Sequence, residues 1–276
     1  MSKVIAIIPA AGLAKRMEAD QNKAFLTVAG ESVIRRTVKT FLSVEEIDVI
    51  CIMANPQDQE MMVNEISDLA NPFEINIAIV PGGETRQDSV RLGLEYVVAN
   101  HPDLVASIEN IFKHKTSNQE NGLWQFTVSH NLYEQIKSLC LSGKERTFCI
   151  VHDGARCLIN KDLVQGYLKE LAQDYAGLGV AVPVKDTIRR VDDAGNVVET
   201  PKRSNLKAMQ TPQGSDFEVI FAAYQYAKEN QIEVTDDLAV LEAINYPVKT
   251  YPGNQMNIKI TYPEDIPLAE KLLKIE

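Results

Sequence analysis

Val4-Ile5-Ala6-Ile7-Ile8-Pro9-Ala10-Ala11-Gly12-Leu13-Ala14-Lys15-Arg16-Met17 begins as an apolar run suited to a buried strand, stops in small residues, and is followed at once by two cations. Small residues at such a turn let backbone N–H groups approach a ligand closely, and the cations stand within reach of it, an arrangement that suits a nucleoside triphosphate. Taken alone, the turn is equally an ordinary strand-to-helix connection of an α/β protein. It lacks the Gly-Lys-Ser/Thr end of a P-loop, and its single glycine falls short of the dinucleotide fingerprint. A signal peptide is not expected despite Lys3, because Pro9 and Gly12 interrupt the apolar stretch and Lys15 and Arg16 follow it directly.

Outward from this turn, strand and helix signals alternate. Lys15 to Gly30 reads as a polar, charged loop containing Lys23 and Phe25-Leu26, and the next helix sets Val33, Ile34, Val38, Phe41 and Leu42 on one face. Ile47 to Ala54 is a second strand, Asn55-Pro56 starts a helix through Met62 and Ile66, and Ile75 to Val80 is a third strand running into Pro81-Gly82-Gly83. A helix with Val90, Leu94 and Val97 turned inward follows. This alternation predicts parallel βαβ units with ligands at the carboxyl ends of the strands.

Residues 100–146 break the rhythm. They carry Trp124, His114, His130, a polar run from Lys113 to Gly122 and one helical pattern at Leu132, Ile136 and Leu139. A compact α/β unit does not need such an excursion between a helix and its next strand, so the stretch reads as an insertion. The two histidines have no ligand spacing and are expected at the surface, with Trp124 packing the insertion onto the body.

The rhythm returns with a strand at Thr147 to Val151 that ends in His152-Asp153-Gly154-Ala155-Arg156, and Asn160 is placed to cap a helix carrying Leu163, Tyr167 and Leu171. After a strand at Leu178 to Val184, residues 185–206 read as a β-arm, with Thr187 to Val191 and Val197 to Thr200 flanking a turn at Asp192 to Asn196. An arm with so little core of its own is expected to pack on a partner subunit. Gln210-Thr211-Pro212-Gln213 leads into a helix with Phe217, Ile220, Phe221 and Tyr224 on one face and a capping box from Ser215 and Glu218. A further helix starts after Thr235, with Asp236-Asp237 at its positive end. Strands at Val248 to Tyr251 and Asn257 to Ile260 precede a last helix after Pro263.

With 276 residues the chain is long enough for one large domain with a sizeable excursion. No apolar run approaches bilayer length, so a soluble protein is expected. A formal charge of -10 argues against a general nucleic-acid binder. Cys51, Cys140, Cys149 and Cys157 show neither paired metal spacing nor a disulfide framework, which fits a reducing cytoplasm. In so acidic a chain, cations that recur where strands end or helices open point to a polyanionic ligand: Lys15, Arg16 and Lys23, then Gly82-Gly83 with Arg86, then Asp153 with Arg156, then Lys259.

IPAAGLAKRM, NKAFL, GGETRQDSV, VHDGAR, PVKDTIRRV, QTPQ, VTDD and NIKITYPED, in that order, make the chain resemble the 2-C-methyl-D-erythritol 4-phosphate cytidylyltransferases of non-mevalonate isoprenoid biosynthesis. The resemblance spans nearly everything outside residues 100–146. It implies an α/β, Rossmann-like nucleotidyltransferase fold: a mostly parallel twisted sheet with helices on both faces and a protruding β-arm. One cytidylyltransferase domain would cover 1–276. It implies Arg16 and Lys23 as catalytic residues on the α-phosphate of CTP, with the phosphates cradled by Ala10, Ala11 and Gly12. Gly83, Glu84, Arg86 and Ser89 would surround the cytosine, and Asp153 would lie near the ribose and a magnesium ion. Arg156, Thr235 and Lys259 would hold the polyol phosphate, and Thr187 and Arg203 would reach it from the second subunit of a homodimer.

Such a transfer asks for fixed cations more than for a general base, because a phosphate monoester, with a second pKa of about 6, is already a nucleophile near neutral pH. Two other readings share the CTP residues: a ribitol 5-phosphate cytidylyltransferase, and a CTP-binding regulator without turnover. The chain departs from the usual family pattern at Ala14 (glycine), Asn22 (proline), Ala24 (glutamine), Gly154 (alanine) and Cys157 (proline).

Overall fold

The computed structural model describes residues 2–12, 22–104, 115–116, 125–126 and 145–274. Lys15, Arg16, Cys140 and the expectations for His114, Trp124, His130 and the 132–139 helical pattern lie outside the described residues.

β1 (Lys3–Pro9) is the opening apolar run, and it is buried on both faces. Val4, Ala6 and Ile8 point into one layer of packing, while Ile5 and Ile7 point into the other, as the period of two requires. β1 pairs in parallel with β2 (Val49–Ala54) on one side and β4 (Thr147–Val151) on the other. β3 (Asn76–Pro81) extends the sheet beyond β2. Beyond β4 lie β8 (Lys207–Asp216), β5 (Gly177–Pro183) and β9 (Val248–Pro252), giving seven strands in the order β3-β2-β1-β4-β8-β5-β9. β8 alone runs antiparallel to its neighbours. Because the chain leaves β1 toward β2 but returns on the opposite side as β4, the carboxyl ends of β1 and β4 form a topological switch point, where α/β sheets open a crevice.

Helices cover both faces. α1 (Val33–Leu42), α2 (Gln59–Ile66) and α4 (Lys161–Leu171) bury Ile34, Val38, Phe41, Met62, Ile66, Tyr167 and Leu168 against one. α3 (Arg86–Asn100), α5 (Phe217–Glu229) and α6 (Asp237–Ala243) bury Val90, Leu94, Phe217, Phe221, Leu238 and Leu241 against the other. α7 (Asp265–Leu272) seals a smaller cluster of Val28, Val33, Cys157, Leu158, Ile260 and Ala269. The expected caps form at Asn160, whose side chain accepts from Leu163 N–H, and at Asp236, which accepts from Ala239 N–H. The arm is a hairpin of β6 (Arg190–Val191) and β7 (Val197–Glu199), with residues 185–200 exposed throughout.

Five expectations are corrected. Gln210 to Gln213 does lead to α5, but as the middle of β8, a strand hidden by its polar side chains and by Pro212. A register shift between Met209 and Gln213 accommodates that proline, which has no N–H for the ladder. Ser215 and Glu218 form no capping box, since Ser215 is a buried strand residue and Asp216 occupies the cap position, its carboxylate held by Arg146 at 2.7 and 2.8 Å. Asn257 to Ile260 joins no sheet and is tied down where Ile260 N–H donates to Ala155 O at 2.8 Å. The 22–32 part of the expected loop holds a short 3-10 turn (Lys23–Phe25) and a ribbon pairing Thr27–Val28 with Glu31–Ser32. The helix expected from Asn55-Pro56 begins as a 3-10 turn, Pro56–Asp58, before α2.

β8 must pass very close to β4. A Cβ on Gly214 would sit 2.2 Å from Cys149 O and 2.9 Å from Ile150 Cα, both backbone atoms. Gly214→Ala is therefore expected to destabilise the fold by about 1–3 kcal/mol, the usual cost of overpacking. Urea unfolding of the variant checks this, and an unchanged midpoint contradicts it.

Candidate active site

A cleft of about 290 Å³ opens at the switch point. Ala11 and Gly12 after β1, Lys23 in the 3-10 turn, Gly83 to Arg86 before and at the start of α3, Asp153 after β4 and Lys259 before α7 all line it. The turn after β1 is anchored where Ala10 N–H donates to Met53 O at 2.9 Å, and the turn after β3 where Gly82 N–H donates to Ala54 O at 2.7 Å. A Cβ on Gly82 would lie 2.6 Å from Ala11 Cβ, so only glycine lets the two turns meet. Ser89 borders the cleft but is buried, and its hydroxyl accepts from Gly83 N–H at 3.0 Å and donates to Thr85 O at 2.9 Å. Its hydroxyl therefore shapes the glycine turn.

Asp153 is the electrostatic centre. Its Oδ1 accepts from Arg86 Nε at 2.9 Å, while Oδ2 meets Lys259 Nζ at 2.8 Å and Arg156 Nε at 3.6 Å. Burial alone would raise its pKa, but Arg86, Lys259 and Arg156 outweigh burial and hold the carboxyl well below the usual carboxylate range. Arg86 is shared. Its Nη1 and Nη2 donate to Asp237 at 3.0 and 2.6 Å, a bidentate pair, and Tyr224 Oη donates to the same carboxylate at 2.6 Å. Burial opposes the charge on Arg86, yet Asp237 and Asp153 prevail and keep its pKa raised.

Behind Asp153 lies a network whose protons are fixed by elimination. His152 Nε2 is 3.2 Å from Arg156 O, an atom that only accepts, so Nε2 carries the proton and Nδ1 accepts. Thr211 Oγ1, 3.0 Å from Nδ1, then donates to it and accepts Asp153 N–H at 3.0 Å. The shift in β8 register thus brings Thr211 to the backbone of Asp153. Burial lowers the His152 pKa to about 4, so the ring is neutral near pH 7.

A family model described as 2-C-methyl-D-erythritol 4-phosphate cytidylyltransferase matches residues 4–106 and 128–275. Proteins of that name from Desulforamulus reducens and Thermosynechococcus vestitus are 32% and 35% identical, over 99% and 97% of this chain and 97% and 94% of their own. The crystal structure of 4-diphosphocytidyl-2C-methyl-D-erythritol synthase from Anaerococcus prevotii superimposes with a TM-score of 0.70 at 26% identity, covering 99% of both chains. The cytidylyltransferase of Thermus thermophilus shares the fold, with a TM-score of 0.64 at 24% identity over 99% of this chain and all of its own. The chain belongs to the 2-C-methyl-D-erythritol 4-phosphate cytidylyltransferase family. It is a nucleotidyltransferase with the Rossmann-like fold expected of that family.

Of the residues singled out by the family resemblance, Ala11, Gly12, Lys23, Gly83, Glu84, Arg86, Ser89, Asp153 and Lys259 come together in the cleft. Ala10 adjoins it as a buried residue. Arg156 stands behind Asp153, donating to Asn257 O at 2.9 Å. Thr187, Arg203 and Thr235 are exposed and line no part of this cleft, and Arg203 Nη1 donates to Lys185 O at 2.8 Å at the base of the arm. Arg16 lies outside the described residues. Sequence reasoning missed Asp237, His152 and Thr211 as supports. One signal was present: a cation at the first position of α3 opposes the helix dipole, so Arg86 required carboxylate partners.

Between pH 6.5 and 4 the unfolded chain binds a proton at His152 that the folded chain refuses. Stability therefore falls with pH in that window, by up to about 3 kcal/mol from this residue. Replacing His152 by Asn is expected to flatten the pH dependence of the urea midpoint over that range. Parallel profiles for the two proteins would contradict the assignment.

Proposed function

We propose that the chain transfers a cytidylyl group from CTP to 2-C-methyl-D-erythritol 4-phosphate, releasing pyrophosphate. The observation that carries this reading is the convergence of a backbone turn, Lys23, Arg86, Asp153 and Lys259 on one cleft in an acidic chain. The acceptor's phosphate oxygen attacks the α-phosphorus of CTP. A new P–O bond forms as the bond to the bridging oxygen of pyrophosphate breaks, and charge builds on the non-bridging oxygens. Lys23, with Arg16, stabilises that charge, and the turn at Ala10 to Gly12 receives the phosphates. Gly83, Glu84, Arg86 and Ser89 frame the base, while Lys259 and Arg156 serve the acceptor side. Proximity and fixed charge do the chemistry, which is why no nucleophilic Ser-His or Cys-His pair is called for.

Among the described residues no group of three or more acidic, histidine or cysteine side chains could hold a metal. Asp153 offers one carboxylate, and three cations already answer it. These residues do not fit a metal site built by the protein. Magnesium fits this reading as part of the nucleotide substrate, keeping several waters and triphosphate oxygens as its ligands.

A homodimer through the arm belongs to the same reading. Ile188, Val191, Val197 and Val198 are exposed along it, and Thr187 and Arg203 stand away from their own cleft, where they are available to a neighbour's. The break in the family match between 106 and 128 supports treating residues 100–146 as an insertion in one domain. Cytoplasmic location is in keeping with Cys51, Cys149 and Cys157 being buried free thiols, and no described helix is long and apolar enough to cross a membrane.

Pyrophosphate release from CTP and magnesium is expected with methylerythritol 4-phosphate and not with ribitol 5-phosphate. Release only with the second acceptor moves the chain to the rival substrate, and CTP binding without release under either makes it a regulator. Lys23→Ala is expected to lose about 10²- to 10³-fold in turnover, and near-normal turnover would remove Lys23 from the mechanism. Light scattering should find a dimer, and a fully active monomer would overturn the role of the arm.

A further inference from the structure

Asn22 is almost fully buried, and its carboxamide joins three segments that are distant or separate in the fold. Its Nδ2 donates to Ala10 O at 2.8 Å and to Asp58 Oδ2 at 2.9 Å, and its Oδ1 accepts from Ala24 N–H at 3.0 Å. The orientation is forced, since a carbonyl and a carboxylate only accept and an N–H only donates. Ala10 opens the turn of the cleft, Ala24 follows Lys23 in the 3-10 turn, and Asp58 ends the turn that starts α2. Lys23 therefore leaves a backbone that Asn22 holds on both sides. The lysine crosses to Gly12, whose Cβ, if present, would lie 3.7 Å from Lys23 Cε.

We infer that Asn22 is a positioning residue for Lys23, clamping the lysine's backbone to the turn at Ala10 with Asp58 holding the clamp. This rests on the proposed role of Lys23 in turnover. Asn22 touches no reacting atom; it acts by fixing where the ammonium starts from. The cradle itself has a separate tether, the Ala10 N–H bond to Met53 O, which survives loss of Asn22. Rate should therefore suffer more than nucleotide affinity.

The test compares Asn22→Ala, Lys23→Ala and the double variant, with CTP, magnesium and methylerythritol 4-phosphate, and follows urea unfolding of each. Asn22→Ala is expected to lower kcat about 10- to 100-fold, the scale of a displaced catalytic group, with KM for CTP within about threefold of the parent. In the Lys23→Ala background the same change is expected to cost nothing further in kcat, because the clamp works through the lysine. A kcat within about twofold of the parent for folded Asn22→Ala, beside a crippled Lys23→Ala, overturns this inference and leaves the role of Lys23 intact; losses that multiply in the double variant also overturn it. Normal turnover by Lys23→Ala instead removes the reading beneath it. If Asn22→Ala does not fold, Asp58→Ala removes one contact of the clamp from a half-buried edge. It should lower kcat in the same direction, and an unchanged kcat contradicts the clamp.

Discussion

Asp153 can be buried at the mouth of the sheet only because three cations surround it, and most of the surrounding structure exists to bring them there. Arg86 comes from the start of α3, Arg156 from the loop behind β4, and Lys259 from the segment that crosses to α7. Removing one member of such a group leaves uncompensated charge in a poorly solvated place, which costs far more than an exposed pair could contribute. Asp237 adds a second carboxylate under Arg86, itself fully buried. Three cations against two carboxylates leave this buried group with one positive charge, and Lys23 and Glu84 line the cleft beside it.

The sheet provides the frame on which these charges are placed. β1 and β4 are central strands, buried on both faces. β8 is the exception that serves the site. It is polar through its middle, yet it runs between β4 and β5, where an apolar strand would pack at least as well. Two of its polar groups support the cleft: Gln213 Oε1 accepts Asp237 and Leu238 N–H at 2.9 and 3.0 Å, and Thr211 holds the Asp153 backbone. The strand trades apolar burial for a hydrogen-bonded frame around two carboxylates.

This trade also decides what could be read from the sequence. Strands and helices with an apolar period, such as β1, β2 and α1, were legible because burial on a known face leaves a pattern. β8 left none, since its side chains answer to the site and not to the core, and Pro212 reads as a break. Asn257 to Ile260 fails the other way: its alternating apolar residues read as a strand, but Ile258 and Ile260 pack on the α7 cluster without joining a ladder. Lys23, Arg86, Asp153 and Lys259 were legible as cations and a carboxylate at strand ends and helix starts. Their partners were not, because Asp237 already had a local explanation as a helix-start carboxylate and His152 read only as the residue after a strand. A helix-dipole argument accounts for a charge once, and a second partner far along the chain is invisible to it.

The residues missed share one property: they orient charges and do not themselves meet a ligand. Transfer between phosphates needs little covalent help from a protein, so its barrier is lowered chiefly by placing charge where it will develop and keeping it there. A flexible lysine at the mouth of a cleft gives poor placement unless its backbone is fixed. A guanidinium gives good placement only if its fork is already aligned. Asp237 aligns the fork of Arg86, and Asn22 fixes the start of Lys23. Both are amide or carboxylate side chains with every strong contact inside the protein, and both are buried where an apolar residue of similar size could sit. Polar groups kept in such places at the expense of packing are explained by the geometry they impose, and in this fold that geometry converges on one cleft.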